Sequence, residues 1–187
     1  MQLSTRQRIL DVAGDLFHRR GFRAVGVDTI VKASGVAKMT LYRHFRSKDD
    51  LVVAYLEEVN RLFWDWLNKA AEPYPEQPRL QLIAIFEALQ NLVTTPQCYG
   101  CPFLAAAAEF PEPDSPGHAA ALAHKQSVRA RLCDLARQAG ARNPETLADQ
   151  LLLLLDGAFA AVRMFGPDNP GANVASAATA LIDAQGK

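Results

Sequence analysis

Apolar residues recur along most of the chain at the spacing of an α-helix. In the first twenty residues, five apolar side chains follow the i, i+3, i+4, i+7, i+8 pattern of one helix face: Ile9, Val12, Ala13, Leu16 and Phe17. Ser4 or Thr5 can cap the start of this helix, and Gly21 can end it. The chain therefore opens with a predicted amphipathic helix that buries one side.

Three more helices follow closely. The pattern predicts a short second helix over about 27–34, a sharp turn at Gly35 and a short third helix over about 38–45. Ser47 can cap a long fourth helix that keeps the 3.6-residue period to about residue 71. The first three helices thus form a compact unit, followed by a rod of about 36 Å at 1.5 Å per residue.

Prolines and glycines divide the remainder into five further helices. The fifth follows the break at Pro73, Pro75 and Pro78 and runs to about residue 93, and the sixth is predicted over about 102–109. The seventh follows a loop that includes Pro116 and runs to about residue 139, the eighth is predicted over about 144–165, and an Ala-rich ninth ends near residue 184. No alternating segment bounded by turn residues indicates a strand, and no internal repeat is present. The predicted fold class is therefore all-α, with nine helices.

Composition and charge add a division along the chain. The 187 residues are 49% hydrophobic with zero formal net charge, enough for one compact body or two closely joined ones. Residues 1–50 hold ten Lys and Arg against five acids, whereas the remainder holds ten against fifteen. A basic first quarter favours contact with a polyanion. No apolar run approaches the roughly 20 residues of a membrane span, so we expect a cytoplasmic protein.

The second and third helices, joined by the turn at residues 34–37, form a predicted helix-turn-helix. In this arrangement the second helix of the pair can enter the major groove of DNA. Leu41 and Phe45 fall on the face that must anchor the third helix to the core. The outward set carries charge, hydrogen-bonding groups and one apolar tip: Lys38, Met39, Thr40, Tyr42, Arg43 and His44.

Here the chain resembles the TetR family of bacterial transcriptional regulators. The resemblance lies in Gly21-Phe22, residues 30–36 (IVKASGV) and residues 40–51 (TLYRHFRSKDDL), and the later helices match in number and layout. It implies a DNA-binding domain over 1–47 and a helical effector-binding and dimerisation domain over 48–187.

The resemblance also assigns candidate DNA contacts. It implies groove contacts by Lys38, Met39, Thr40 and His44, contacts with phosphate or base by Tyr42 and Arg43, and a phosphate contact by Lys48. The alternative for each basic residue is a solvated surface charge, and Tyr42 could instead pack. Gly26, Ala37 and Met39 depart from the family pattern, the first two where hydroxyl residues usually cap the helices.

The last two helices suit an interface with a second copy. Residues 151–155 are all Leu and the eighth helix is apolar nearly all round, as a helix covered on both sides must be. The ninth adds small residues that permit close helix approach. The resemblance implies a homodimer through helices 8 and 9 that binds paired half-sites of an operator in double-stranded DNA. The alternative is an ordinary internal core helix.

The middle helices are expected to enclose a small-molecule effector. The candidate ligand-binding residues are aromatic or can orient a ligand by hydrogen bonding: Phe63, Trp66, Phe86, Tyr99, Phe103, Phe110, His124 and Phe159. Met164 is a further candidate for the lining. The alternative for each aromatic residue is a plain core position. An effector would act by preferring the conformation that holds the two DNA-binding units at the wrong separation.

Two cysteines suggest other chemistry. Cys98 and Cys101 could be inert, could sense oxidants or electrophiles, or could take part in a metal site that two thiols do not complete. The rival prediction is thus an all-α thiol redox protein or oxidant sensor. Because the chain lacks catalytic and phosphate-loop motifs, we predict no enzyme and no cofactor. The favoured function is a repressor released by a small apolar or amphipathic effector, and a regulator without ligand control is a third interpretation.

Overall fold

A computed structural model describes residues 4–186 of the chain, and these contain nine α-helices and no strand. A single 3-10 turn, Pro170–Asn173, precedes the last helix. The helices are α1 (Thr5–Arg20), α2 (Val27–Ser34), α3 (Lys38–His44), α4 (Lys48–Ala71), α5 (Pro78–Val93), α6 (Pro102–Glu109), α7 (Pro116–Gln138), α8 (Pro144–Phe165) and α9 (Val174–Gln185). The all-α prediction with nine helices is confirmed over the described residues, and the predicted bounds hold to within a residue or two.

Short polar residues and glycines set several helix ends. The Ser4 hydroxyl accepts a hydrogen bond from the Gln7 amide at 3.1 Å, and Ser47 accepts one from the Asp50 amide at 3.0 Å. These bonds satisfy amide groups that have no partner inside the helix. Gly35 ends α2 in the left-handed conformation, with φ of 66°.

The N-termini of α2 and α3 lack such capping hydrogen bonds. Gly26 and Ala37 occupy the N-cap positions, and neither makes a side-chain capping bond. Tertiary packing must therefore hold α3, which has only seven residues. Leu41 is fully buried and Phe45 nearly so, as predicted for the two anchors of this helix.

The described residues divide into two compact units. Unit 1 runs up to Arg61 and includes Pro102–Ala123, and unit 2 comprises Leu62–Cys101 and the residues from His124 onward. Both units therefore draw on separate stretches of the chain. The division at residues 47 and 48 concerns which segment binds DNA, and it stays a prediction.

Aromatic rings form the centre of unit 1. The ring centroids of Phe17 and Phe22 are 5.2 Å apart, and that of Tyr55 lies 5.9 Å from Phe17. The Tyr55 ring packs against Gly14, where an added Cβ would lie 2.9 Å from the ring carbons. A side chain larger than hydrogen at position 14 would thus displace the ring that joins α1 to α4.

A carboxylate from α6 holds the loop between α1 and α2. Glu109, the last residue of α6, accepts hydrogen bonds from the backbone amides of Phe22 at 3.0 Å and Arg23 at 2.6 Å. Gly21 has a φ of 86°, and a Cβ there would lie 2.7 Å from the same carboxylate. The neighbouring Phe110 ring packs against Phe22 at 5.7 Å. Residues 109 and 110 together fix the path of the chain into α2.

In unit 2, α5, α8 and α9 pack on one another, and a buried asparagine joins their ends. The Asn169 amide group donates to the carbonyls of Val93 and Gly166, each at 2.8 Å, while its oxygen accepts from the Gly171 amide at 2.8 Å. This network satisfies polar groups that burial would otherwise leave unpaired. It fixes the loop that carries the chain from α8 to α9.

Candidate nucleic-acid interface

The α2–turn–α3 segment presents one side of α3 to solvent. The hydroxyl of the buried Ser34 donates to the Val31 carbonyl at 3.3 Å, and the Gly35 amide donates to the same carbonyl at 3.1 Å. These bonds tighten the turn that sets the direction of α3. With Leu41 and Phe45 turned inward, the remaining residues of α3 are half-buried or exposed.

All seven predicted DNA contacts are accessible to solvent. Thr40 and Lys48 are half-buried, and the other five are exposed: Lys38, Met39, Tyr42, Arg43 and His44. Met39 is the most prominent apolar group among them, with 74% of its surface exposed. Six of the seven lie on α3 and Lys48 begins α4, so the sequence-predicted set is brought together over a short stretch of backbone. Their role in binding stays a prediction.

Lys38 has a protein partner that the sequence did not predict. Its ammonium group lies 2.7 Å from a carboxylate oxygen of Asp28 on α2. The hydrogen bond and the negative charge of Asp28 raise the pKa of Lys38. Asp28 therefore draws this side chain toward α2.

Arg6 is a second residue that sequence reasoning missed. Its guanidinium lies 4.9 Å from the centre of the Phe45 ring, a cation–π contact between α1 and the residue that ends α3. Arg6 stands thirty-nine positions before Phe45, and no local pattern marks the pair. The contact places a further positive charge beside the end of α3.

Three of the predicted ligand-binding residues form a cluster in unit 2. The Phe63 ring lies 4.8 Å from that of His124 and 5.5 Å from that of Trp66, measured between centroids. His124 is only 4% exposed, and burial, aided by the neighbouring charge of Lys125, lowers its pKa to about 3. The imidazole is therefore neutral at physiological pH and can orient a polar group.

The other predicted ligand-binding residues are more dispersed. Phe86 and Phe159 are buried in unit 2, and Tyr99 there is half-buried. Phe103 is buried in unit 1, where Phe110 packs against Phe22 as described above. The ligand assignments of these residues remain predictions.

The sequence analysis placed Met164 in the lining of the ligand site, and this assignment is wrong. Met164 is 77% exposed near the end of α8, and the adjacent Phe165 is 57% exposed. The apolar character of α8 gives no sign of which face is covered by its own chain. Met164 is therefore a surface residue rather than part of a lining in the interior.

An apolar face runs along the outer side of α8. Leu153 is 72% exposed, and Gly157, Ala160 and Met164 are exposed on the following turns. A shallow groove borders this stripe between α8 and the start of α9. It is lined by small and apolar residues that include Leu154, Ala161, Val174 and Ala177. Such a contiguous exposed face is typical of a protein interaction site.

The environment of Cys98 does not favour the thiol alternative. Burial raises the pKa of the Cys98 thiol, against a smaller opposing effect of a backbone hydrogen bond at Gly100. A reactive thiol needs the opposite shift, because the thiolate is the nucleophile. Within residues 4–186, no three His, Cys, Asp or Glu side chains are grouped so that they could hold a metal ion.

Comparison with known proteins identifies the family. The family model of bacterial regulatory proteins, tetR family, matches residues 9–55, and that of the tetracyclin repressor-like C-terminal domain matches residues 78–178. A TetR-family transcriptional regulator from Streptomyces coelicolor has a solved structure with a TM-score of 0.93 and 32% identity, covering 98% of this chain and 96% of that one. A putative regulator of the same type from Streptomyces avermitilis gives a TM-score of 0.85 and 34% identity, covering 98% of both chains.

Curated relatives match mainly over the first half. The HTH-type transcriptional repressor KstR2 of Mycolicibacterium smegmatis is 34% identical over an alignment of 96 positions, which covers 47% of this chain and 44% of the relative. The HTH-type transcriptional activator FasR of the same species is 42% identical over 52 residues, 28% of this chain and 24% of the relative. The chain thus spans less than half the length of these curated relatives.

These findings agree with the resemblance drawn from the sequence. In the part of the chain that the structure describes, no helix has the length and apolar character to cross a membrane. The family consists of DNA-binding transcription factors, which confirms the prediction that the chain is not an enzyme. On its matches to both family models, and to two solved structures over at least 96% of each chain, the chain belongs to the TetR family of bacterial transcriptional regulators.

Proposed function

We propose that this chain binds an operator in double-stranded DNA by laying α3 in the major groove. The observation that carries the proposal is the division of α3 into two faces. Leu41 and Phe45 fix one face to the core of unit 1, while Met39 and Arg43 lie on the face turned to solvent. A short helix held in this way can approach base edges with its side chains while Lys48 contacts the phosphate backbone.

Two considerations support binding as a homodimer: the specificity that a regulator needs and the exposed apolar face of α8. One helix-turn-helix unit reads only a few base pairs, and a two-fold dimer doubles the site. The outer face of α8, with Leu153 and Met164, and the groove beside α9 offer self-complementary apolar surface for a second copy. We assign the dimer contact to α8 and α9.

Release by an effector completes the proposed function. Phe63, Trp66 and the neutral imidazole of His124 combine aromatic surface with a polar group, a combination that suits a small apolar or amphipathic molecule. Such a molecule weakens DNA binding if it prefers a conformation that fits the operator poorly, with a coupling of roughly 1–3 kcal/mol. Repression is favoured by the name of the relative KstR2, and a DNA-binding regulator of this kind works in the bacterial cytoplasm.

The salt dependence of DNA binding tests this function. A duplex selected from genomic fragments by the wild-type chain should bind several decades more weakly at about 200 mM salt than at about 50 mM, because bound phosphates release counterions. If both side chains contact phosphate, the double variant Arg43→Ala with Lys48→Ala should lower the slope of log affinity against log salt by about 3.6, because each of the two bound copies loses two cations. The two slopes are measured by fluorescence anisotropy.

The matched control removes the same charge elsewhere. Lys69→Ala with Arg129→Ala takes two exposed positive charges from unit 2 and should leave the salt slope of the wild type nearly unchanged. Equal slopes for the wild type and the Arg43/Lys48 variant would exclude the assigned phosphate contacts. Absence of any retained duplex would exclude DNA binding altogether.

A further inference from the structure

Leu41, the fully buried residue within α3, defines which side chains of this helix point straight out. At 100° per residue, Met39 and Arg43 both lie about 160° from Leu41, one on each side, and so within about 20° of the opposite direction. Thr40 and Tyr42 lie to either side, at about 100° from Leu41. Met39 and Arg43 are therefore the pair that faces directly away from the core.

The neighbouring cation cannot take the place of Met39 on this face. Lys38 lies only about 60° from Leu41 and pairs with Asp28 on α2. Met39, at the second position of α3, is exposed over 74% of its surface. In a helix-turn-helix unit, the first residues of the recognition helix are the ones that reach base edges. The residue so placed here is a thioether rather than a hydrogen-bonding group.

The chemistry of methionine limits what it can recognise in the groove. Its side chain has no donor and only a weak sulfur acceptor, so it cannot form the paired hydrogen bonds that distinguish guanine or adenine. In the major groove, the one apolar group on the edges of the four unmodified base pairs is the C5-methyl of thymine. A flexible, polarisable side chain adapts readily to such a group.

We infer that Met39 is a specificity-determining residue that reads the C5-methyl group of a thymine in each half-site of the operator. The inference rests on the proposed binding of α3 in the major groove and adds the base group that this side chain takes. Arg43, one turn further along the same face, reads a neighbouring guanine or phosphate. The two residues divide the recognition into an apolar and a charged contact.

Removal of single methyl groups tests the inference. The wild-type chain first selects its duplex from a random-sequence pool, and each thymine of that duplex is then replaced in turn by deoxyuridine, which lacks only the methyl group. At one thymine of each half-site, we expect the wild type to bind roughly fourfold more weakly after the replacement, the value of one buried methyl group. The Met39→Ala variant should bind the thymine and deoxyuridine duplexes equally well.

Two further variants sharpen the test. Met39→Leu keeps an apolar tip and should keep the response to the methyl group. Leu122→Ala removes an exposed apolar side chain far along the sequence and should behave as the wild type. Because Met39 is largely exposed, its replacement leaves the core intact, and circular dichroism checks that the variants fold.

The possible results separate this inference from the proposed function. If the wild type and Met39→Ala show the same change in affinity at every replacement of thymine by deoxyuridine, the methyl contact is overturned while DNA binding stands. If the wild-type chain selects no duplex, DNA binding fails and the inference fails with it. Loss of the methyl response in Met39→Ala, together with its retention in Met39→Leu, supports the inference.

Discussion

The pair formed by Lys38 and Asp28 shows how one neighbour changes the use of a charged side chain. From the sequence, Lys38 belongs with the outward residues of α3, yet the structure turns it toward α2. The two groups are largely exposed, so the pair adds little to stability. The main effect of the pair is to turn the Lys38 side chain toward α2. Met39 and Arg43 are then the side chains of α3 that point most directly away from the core.

Burial of a single residue, His124, makes the stability of the fold depend on pH in the acid range. The His124 pKa of about 3 in the folded state lies below that of an unfolded histidine, so protons bind preferentially to the unfolded chain as the pH falls below about 6.5. Stability from this residue is complete above that pH and is lost progressively down to about pH 3. Between pH 7.5 and 5.0, we expect the wild type to lose about 2 kcal/mol more than His124→Phe.

Urea unfolding at the two pH values measures this difference. Substitution of the exposed and non-titrating Gln126 by alanine serves as the control and should keep the wild-type dependence on pH. The same loss in the wild type and in His124→Phe would contradict the assignment of the acid response to His124.

Among the elements, the loop between α1 and α2 depends on a residue from a distant helix. Glu109 is the last residue of α6, and it accepts the amide hydrogens of Phe22 and Arg23 just before α2 begins. The first turns of α2 and α3 have no side-chain caps. The path of the chain into the helix-turn-helix therefore relies more on Glu109 than on the local sequence.

Removal of this carboxylate should loosen the loop. Glu109→Ala leaves two backbone amides without their charged acceptor, and we expect the free energy of unfolding to fall by about 2 kcal/mol. Amide hydrogen exchange at Phe22 and Arg23 should accelerate for the same reason. Glu112→Ala, on the exposed loop that follows, should change the stability by less than about 0.5 kcal/mol. Equal stability of the two variants would refute the role given to Glu109.

For the helices, the sequence predicted their number, order and ends, but it predicted few of the contacts between them. Prolines, glycines and short polar residues set most helix ends, and these signals are local. The buried positions of Leu41 and Phe45 followed from the helical period and from the two apolar anchors that a helix-turn-helix needs. The contacts of Asp28, Arg6 and Glu109 depend on which helices meet in space, and no local pattern records that. Met164 was misplaced because periodicity separates apolar from polar faces but does not tell a core from a face covered by a partner.

On the scale of the whole molecule, the outer face of α8 predicts a second copy of the chain. Leu153→Glu would place a carboxylate within the proposed contact, where burial of an unpaired charge is costly. We expect the dimer dissociation constant to rise at least about a hundredfold, equivalent to about 3 kcal/mol. Because Leu153 is largely exposed in one chain, the separated chains should remain folded.

Sedimentation velocity distinguishes the two species by mass. Leu122→Glu changes an exposed leucine outside α8 and α9 and should leave the dimer intact. A Leu153→Glu variant that sediments as the wild type does would exclude this face as the contact. Weaker DNA binding should accompany dissociation, since each chain then holds a single half-site.

The composition of unit 1 also bears on synthesis of the protein. Its two stretches, up to Arg61 and Pro102–Ala123, are separated by a segment that belongs to unit 2. A ribosome releases the α1–α2 loop long before it has made Glu109, the acceptor for two amides of that loop. In the growing chain, these two amides therefore lack their carboxylate acceptor until α6 has been made.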